Sequence, residues 1–109
     1  MEIRGYHAHV YYDSDSRKAA EEVRQALDDR FEVELGRWRE EPVGPHPRAM
    51  YQVKFEPEVF TELVPWLALH HQGLSVLIHP RTGDDLGDHT EYALWLGPQL
   101  RLRTEIFDS

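Results

Sequence analysis

The chain has 109 residues, 20 Asp and Glu against 12 Lys and Arg, a formal charge of -8, seven histidines and no cysteine. That length suits one domain, expected over 1–109, which can bury most of the surface its unfolded form exposes. Without cysteine there is no disulfide framework and no thiolate metal site, so any metal must be held by His, Asp or Glu, and the acidic balance argues against nucleic acid as a partner.

The opening stretch MEIRGYHAHV has neither a basic n-region nor a long apolar run, and no segment approaches the roughly 18 apolar residues of a spanning helix. The expectation is a cytoplasmic protein without a membrane partner. Gly5 to Asp13, GYHAHVYYD, reads as a strand that ends on the turn-forming Asp13-Ser14. Its alternation places His7, His9 and Tyr11 on one face and Tyr6, Ala8, Val10 and Tyr12 on the other. Asp13 to Ser16 offer caps for a helix at about 15 to 30, where Ala19/Ala20, Val23 and Ala26/Leu27 recur at helical spacing. Phe31, Val33 and Leu35 alternate with glutamates as a second strand, and Tyr51, Val53 and Phe55 alternate with Met50, Gln52 and Lys54 as a third.

Between these strands, RWREEPVGPHPR (37 to 48) carries too many prolines for helix or central strand and is an ordered loop. Pro57 to Gln72 is a helix that starts on a proline and stops at Gly73, with Pro65 expected to kink or split it. Leu74 to His79 is a fourth strand ended by Pro80, RTGDDLGDHTE is a loop, and ALWLGPQLRLR (93 to 103) is expected to form a hairpin closed at Gly97-Pro98.

The order β-α-β-β-α-β predicts a ferredoxin-like, split βαβ α+β fold, an antiparallel sheet with helices on one face and a C-terminal hairpin. In this reading the first strand lies between the third and fourth, parallel to the third and antiparallel to the fourth. His79 then arrives beside His7, and the loop carrying His46 arrives at the same end, with His89 just beyond. Three segments thus deliver imidazoles to one sheet face, and imidazole is the commonest transition-metal ligand. Each residue also has a plainer reading. His70 and His71 sit beside a helix end, where a dipole interaction suffices; His7 and His9 form a common strand accident; GPHP is a rigid turn; and DHT is a capped turn. Asp88 could orient His89 or support acid–base work. Tyr11 and Tyr12 could stack on a ring or donate a hydrogen bond, although strand tyrosines usually pack, and Trp38, Trp66 and Trp95 read as core or interface anchors.

Taken together, YHAHVYYD (6 to 13), PVGPHPRAMYQVKF (42 to 55) and VPWLALHHQGLSVLIHPRTGDDLGDHTEYALWLG (64 to 97) resemble the DOPA 4,5-dioxygenase family, non-haem iron proteins that open catechol rings. The resemblance implies extradiol cleavage of DOPA or a related catechol with Fe(II) and O₂. It implies His9, His46 and His79 as metal ligands, with His7, His89 and Asp88 in catalytic roles. His7 and His89 are alternate ligands or the acid–base pair, and Asp88 is the nearest carboxylate for the common two-histidine, one-carboxylate iron triad. Two other readings stay open: a non-catalytic module in which zinc replaces iron, and a cofactor-free protein of the dimeric α+β barrel type. The sheet face carrying Tyr11, Met50 and Leu77 with the histidines is left open by helices on the other side, so a homodimer is expected to cover it.

Overall fold

The computed structural model describes residues 1–107, two fewer than the domain expected over 1–109. Strands β1 (Tyr6–Tyr11), β2 (Glu34–Leu35), β3 (Met50–Phe55), β4 (Val76–Pro80) and β5 (Leu94–Leu96) form one sheet in the order β2-β3-β1-β4-β5. Helices α1 (Arg17–Arg30) and α2 (Pro57–His70) pack on one face, as the ferredoxin-like α+β reading expects. The buried set between them includes Ala8, Val10, Leu27, Val53, Leu63, Leu67, Val76 and Ile78, the apolar side of each alternating strand.

One pairing differs from expectation. β1 is antiparallel to β3 as well as to β4, with Tyr6 opposite Phe55 and Tyr11 opposite Met50. The crossover through α1 makes β1 parallel to β2, and β3, which returns antiparallel beside β2, must then oppose both. The start of β3 therefore lies beside the end of β1, so the loop carrying His46 enters from the Tyr11 end rather than the His7 end.

Smaller differences have local causes. Ser16 caps α1 in position only, since its hydroxyl turns back to Asp13 Oδ1 at 2.9 Å. Pro65 does not split α2; it lies on the exposed side of the helix, as does Thr61, whose carbonyl the missing N–H leaves to water. The expected loop after β4 contains a short helix, α3 (Asp85–His89), capped by Asp84, whose side chain accepts the Gly87 N–H at 3.0 Å.

The expected hairpin over 93 to 103 does not form: β5 pairs with β4, Leu77 opposite Trp95, and the chain beyond Gly97-Pro98 does not return as a strand. Instead it crosses the face opposite α1 and α2, where Ala93, Trp95, Leu100 and Leu102 pack against buried Tyr11, Met50 and Leu77. This strap ends in a 3₁₀ turn (Thr104–Phe107), and the Arg103 N–H donates to the Pro45 carbonyl at 2.8 Å. The chain's own C-terminal segment thus packs on the apolar patch from which a homodimer is expected. Among the described residues no helix is long and apolar enough to cross a membrane.

Candidate metal centre

The face of the sheet opposite α1 and α2 gathers five imidazoles. His7 and His79 are paired residues of β1 and β4, and His9 follows two positions along β1 on the same side. His46 reaches them from the Gly44-Pro45-His46-Pro47 turn, which closes through its own N–H to the Val43 carbonyl at 3.0 Å; Gly44 there has φ +58, a conformation that favours glycine. His89 comes from the C-terminal end of α3 and lies 4.1 Å, centroid to centroid, from His79. The rings of His9 and His46 are 4.2 Å apart. His9, His46 and His79 are buried, whereas His7 and His89 are half-buried.

The second nitrogen of most of these rings is tied. His79 Nδ1–H donates to the Pro80 carbonyl at 2.8 Å, and His89 Nδ1–H donates to the Asp85 carbonyl at 2.7 Å. Because a carbonyl can only accept, both rings carry a proton on Nδ1, and Nε2 is the nitrogen left to a metal. His46 Nδ1 is 2.7 Å from the buried Tyr11 hydroxyl, which makes Nε2 the nitrogen of this ring left to a metal too. His9 Nε2 lies 3.1 Å from His79 Nε2, while His9 Nδ1 is buried without any partner among the described residues. This orphan is the other nitrogen of the ring from the one facing His79, so an ion shared with His79 Nε2 would not itself satisfy it.

One pair of the expected ligands meets a simple geometric test, although His9, His46 and His79 do not all fall within one converging group. Two imidazoles bound at ~2.1 Å and near right angles on one ion would hold their nitrogens about 3 Å apart; the His9–His79 separation is 3.1 Å. Ligand atoms converge in two overlapping groups, His7-His9-His79 and His9-His46-His89, each within 4.8 Å, and His9 belongs to both. No carboxylate belongs to either group.

Burial biases His7, His9, His46 and His79 towards the neutral form. Burial, then the neighbouring His79 and the Arg81 guanidinium, pushes His7 down to about 4. Burial, with His89 and His79 as neighbours, brings His46 to about 4. Burial likewise brings His79 to about 4, against a partly offsetting hydrogen bond to Pro80. His9 falls well below its ordinary 6.5, first by burial and then by the adjacent imidazoles. Neutral rings with free lone pairs are the form a metal requires.

Asp88 is placed differently from its expected role. Its buried carboxylate accepts the Thr82 N–H at 2.9 Å and the Thr82 hydroxyl at 2.6 Å, and so pins α3 to the turn after β4. The residue that orients His89 is Asp85, through its backbone. His70 stacks on Trp66 and His71 bonds the Leu74 carbonyl, both apart from the cluster. The Tyr11–His46 hydrogen bond escaped a reading by strand propensity. Its one sequence signal is that Tyr11 shares the alternation of His7 and His9.

Two recesses, each lined by more than one of these imidazoles, open beside the cluster. One of about 240 Å³ is lined by His7, His79 and His89 with Arg4 and Arg81. The other, of about 270 Å³, is lined by His9 and His46 with Arg37, Arg39 and Gln52. A larger recess of about 520 Å³ lies at the β2 edge between Glu32 and Val59 and contains no imidazole.

Fold and site together define a ferredoxin-like α+β protein with a cluster of imidazoles whose ligand atoms lie close enough to hold a metal ion. The sequence matches the Dopa 4,5-dioxygenase family over residues 6–106, and the chain belongs to that family. It is 34% identical over 110 residues to DOPA 4,5-dioxygenase from Amanita muscaria, and 40% identical over 113 residues to an uncharacterized 21.2 kDa protein from Botryotinia fuckeliana. These alignments cover 93% and 92% of this chain but 48% and 62% of the relatives, so the chain spans about half to three-fifths of their length. A crystal structure of a candidate dioxygenase from Nostoc punctiforme superposes with a TM-score of 0.96 at 54% identity, covering 97% of this chain and 92% of that one.

Proposed function

We propose that the protein is a non-haem Fe(II)-dependent extradiol dioxygenase that opens the ring of DOPA or a related catechol with O₂. The observation that carries this reading is the convergence of five imidazoles from β1, β4, α3 and the His46 turn, three of them with Nδ1 held by a hydrogen bond. Family membership and the dioxygenase names of relatives supply the class of reaction. Iron in this centre would supply a Lewis acid for the two catechol oxygens and electron transfer to O₂.

The chain's own residues do the rest. His9, His46 and His79, the buried members, hold the metal, and the prolines on either side of His46 limit its freedom before the ligand arrives. His7, neutral and half-buried on the open side, accepts the proton of a catechol hydroxyl. His89 presents its free Nε2 at the rim and exchanges a proton with the opening ring. Asp88 positions α3 and therefore His89. The strap packed on Tyr11, Met50 and Leu77 keeps water from the floor of the site.

The test is anaerobic reconstitution with Fe(II), then addition of O₂ and a panel of catechols. Oxygen uptake with a yellow ring-opened product is expected, and bound iron without turnover of any catechol would overturn the reading. One observation favours a second reading, a non-catalytic zinc module: no carboxylate joins the imidazole groups, unlike the common iron triad. That reading requires tight zinc and no oxygen uptake. A cofactor-free protein of the dimeric α+β barrel type would use the sheet face that the strap occupies here, and we do not favour it.

A further inference from the structure

We infer that the recess beside His7, His79 and His89 is an anion subsite in which Arg81 and Arg4 hold a carboxylate of the substrate. The inference rests on the ring-cleaving reading of the same centre and narrows its substrate to catechols that carry an acid group.

In a chain of charge -8, two guanidiniums line one recess of the histidine cluster. The ion pairs among the described residues use Arg17 and Lys54, and neither Arg4 nor Arg81 has an acidic partner there. Glu56 and Arg81 both lie near Gly5 without pairing. Of the acids that line the recess, Asp88 is already satisfied by two Thr82 hydrogens, and Asp85 is exposed and pairs with neither arginine.

The two arginines are also preorganised. The Arg4 N–H donates to the Arg81 carbonyl at 2.9 Å and the Arg81 N–H to the Gly5 carbonyl at 2.8 Å, which extends the β1–β4 ladder by one rung beyond the strands. Arg81 continues the alternation of Leu77 and His79, so it belongs to the histidine face. Glycines make room for both heads: a Cβ on Gly5 would stand 3.3 Å from Arg81 Nη1, and one on Gly83 would stand 3.6 Å from an Arg4 Nη. A guanidinium fork matches a carboxylate in two parallel hydrogen bonds, and a recess of about 240 Å³ suits a small aromatic acid.

The experiment compares 3,4-dihydroxyphenylacetate with neutral 4-methylcatechol by calorimetric titration of the Zn(II)-loaded protein, in which redox chemistry cannot interfere. The wild type is expected to prefer the acid by about tenfold or more, the scale of one charge-assisted hydrogen bond. Arg81→Gln and Arg4→Gln should each reduce that ratio, and the double variant should bring it towards one. Arg81→Lys should keep part of it, and Arg30→Gln, at the far end of α1, all of it. Circular dichroism checks each fold, and if Arg81→Gln unfolds, Arg4→Gln and Arg81→Lys carry the comparison. No preference in the wild type, or a preference that survives in the double variant, overturns the subsite. Phenylacetate titrated into metal-free protein gives the same comparison without the metal. Oxygen uptake by the Fe(II) protein is read separately: an intact preference without turnover overturns the ring-cleaving reading alone, and turnover without preference overturns the subsite alone.

Discussion

Tyr11→Phe isolates the contribution of a single hydrogen bond to the metal centre. The Tyr11 hydroxyl lies 2.7 Å from His46 Nδ1, and both residues are buried. The phenyl ring of the variant keeps the stacking against Trp95, whose centroid is 5.9 Å away, so packing changes little. What is lost is one buried hydrogen bond, with His46 Nδ1 left unpaired, which costs about 1–3 kcal/mol of stability in the metal-free protein. If the bond also orients a metal ligand, affinity falls by roughly 10–100-fold, as for other partners of ligating histidines. At saturating metal a tenfold weaker Kd removes a further ~1.4 kcal/mol from the loaded protein. The decisive quantity is therefore the loss of stability with metal minus the loss without it. Urea unfolding of both forms, with Zn(II) affinity from chelator competition, measures each term. Tyr12→Phe is the control, since its hydroxyl bonds Arg39 and Glu40 away from the histidines and should change metal affinity not at all. Equal losses in the loaded and metal-free forms would refute a role for Tyr11 in the centre.

Other expectations follow from the same contacts. His9→Ala, His46→Ala and His79→Ala should each lose stoichiometric metal while circular dichroism stays native, whereas His70→Ala, stacked on Trp66 outside the cluster, should bind as the wild type does; retained metal in one of the first three removes that residue from the ligand set. Below pH 6.5 the unfolded chain binds protons that the folded His7, His46 and His79, each at about 4, do not accept. Stability of the metal-free protein is then fully present above 6.5 and falls as the pH drops towards 4; a urea midpoint that stays flat across this window contradicts the neutral cluster. Gly97→Ala should destabilise by more than the ~1 kcal/mol of an ordinary loss of glycine freedom, because Gly97 has φ +68 and its new Cβ would fall on the Leu74 carbonyl; a thermal midpoint within a degree of wild type would show that the strap's entry can move.

Much of the site was legible from alternation. Period-2 patterning put His7, His9 and Tyr11 on one face of β1, and the bounds of β3 were read from Met50, Gln52 and Lys54 alternating with Tyr51, Val53 and Phe55. The same pattern identified the apolar face that α1 and α2 cover. Chain order alone supported a split βαβ sheet, and motif content pointed to the family. Those features are local, so they survive in a string of residues.

What the tertiary structure decided is which separated segments meet and from which direction. The antiparallel pairing of β1 with β3 brings His46 in from the Tyr11 end, and that is how the Tyr11 hydroxyl comes to hold its ring. α3 has five residues around Gly87 and no apolar period, so its cap and the Thr82–Asp88 contact define it where pattern could not. The segment after Gly97 could have paired with β5; instead it becomes a strap in which Leu100 and Leu102 pack against Tyr11, Met50 and Leu77. Propensity and spacing act over a few residues, whereas the tautomer, burial and neutrality of each imidazole depend on partners brought to it by the fold.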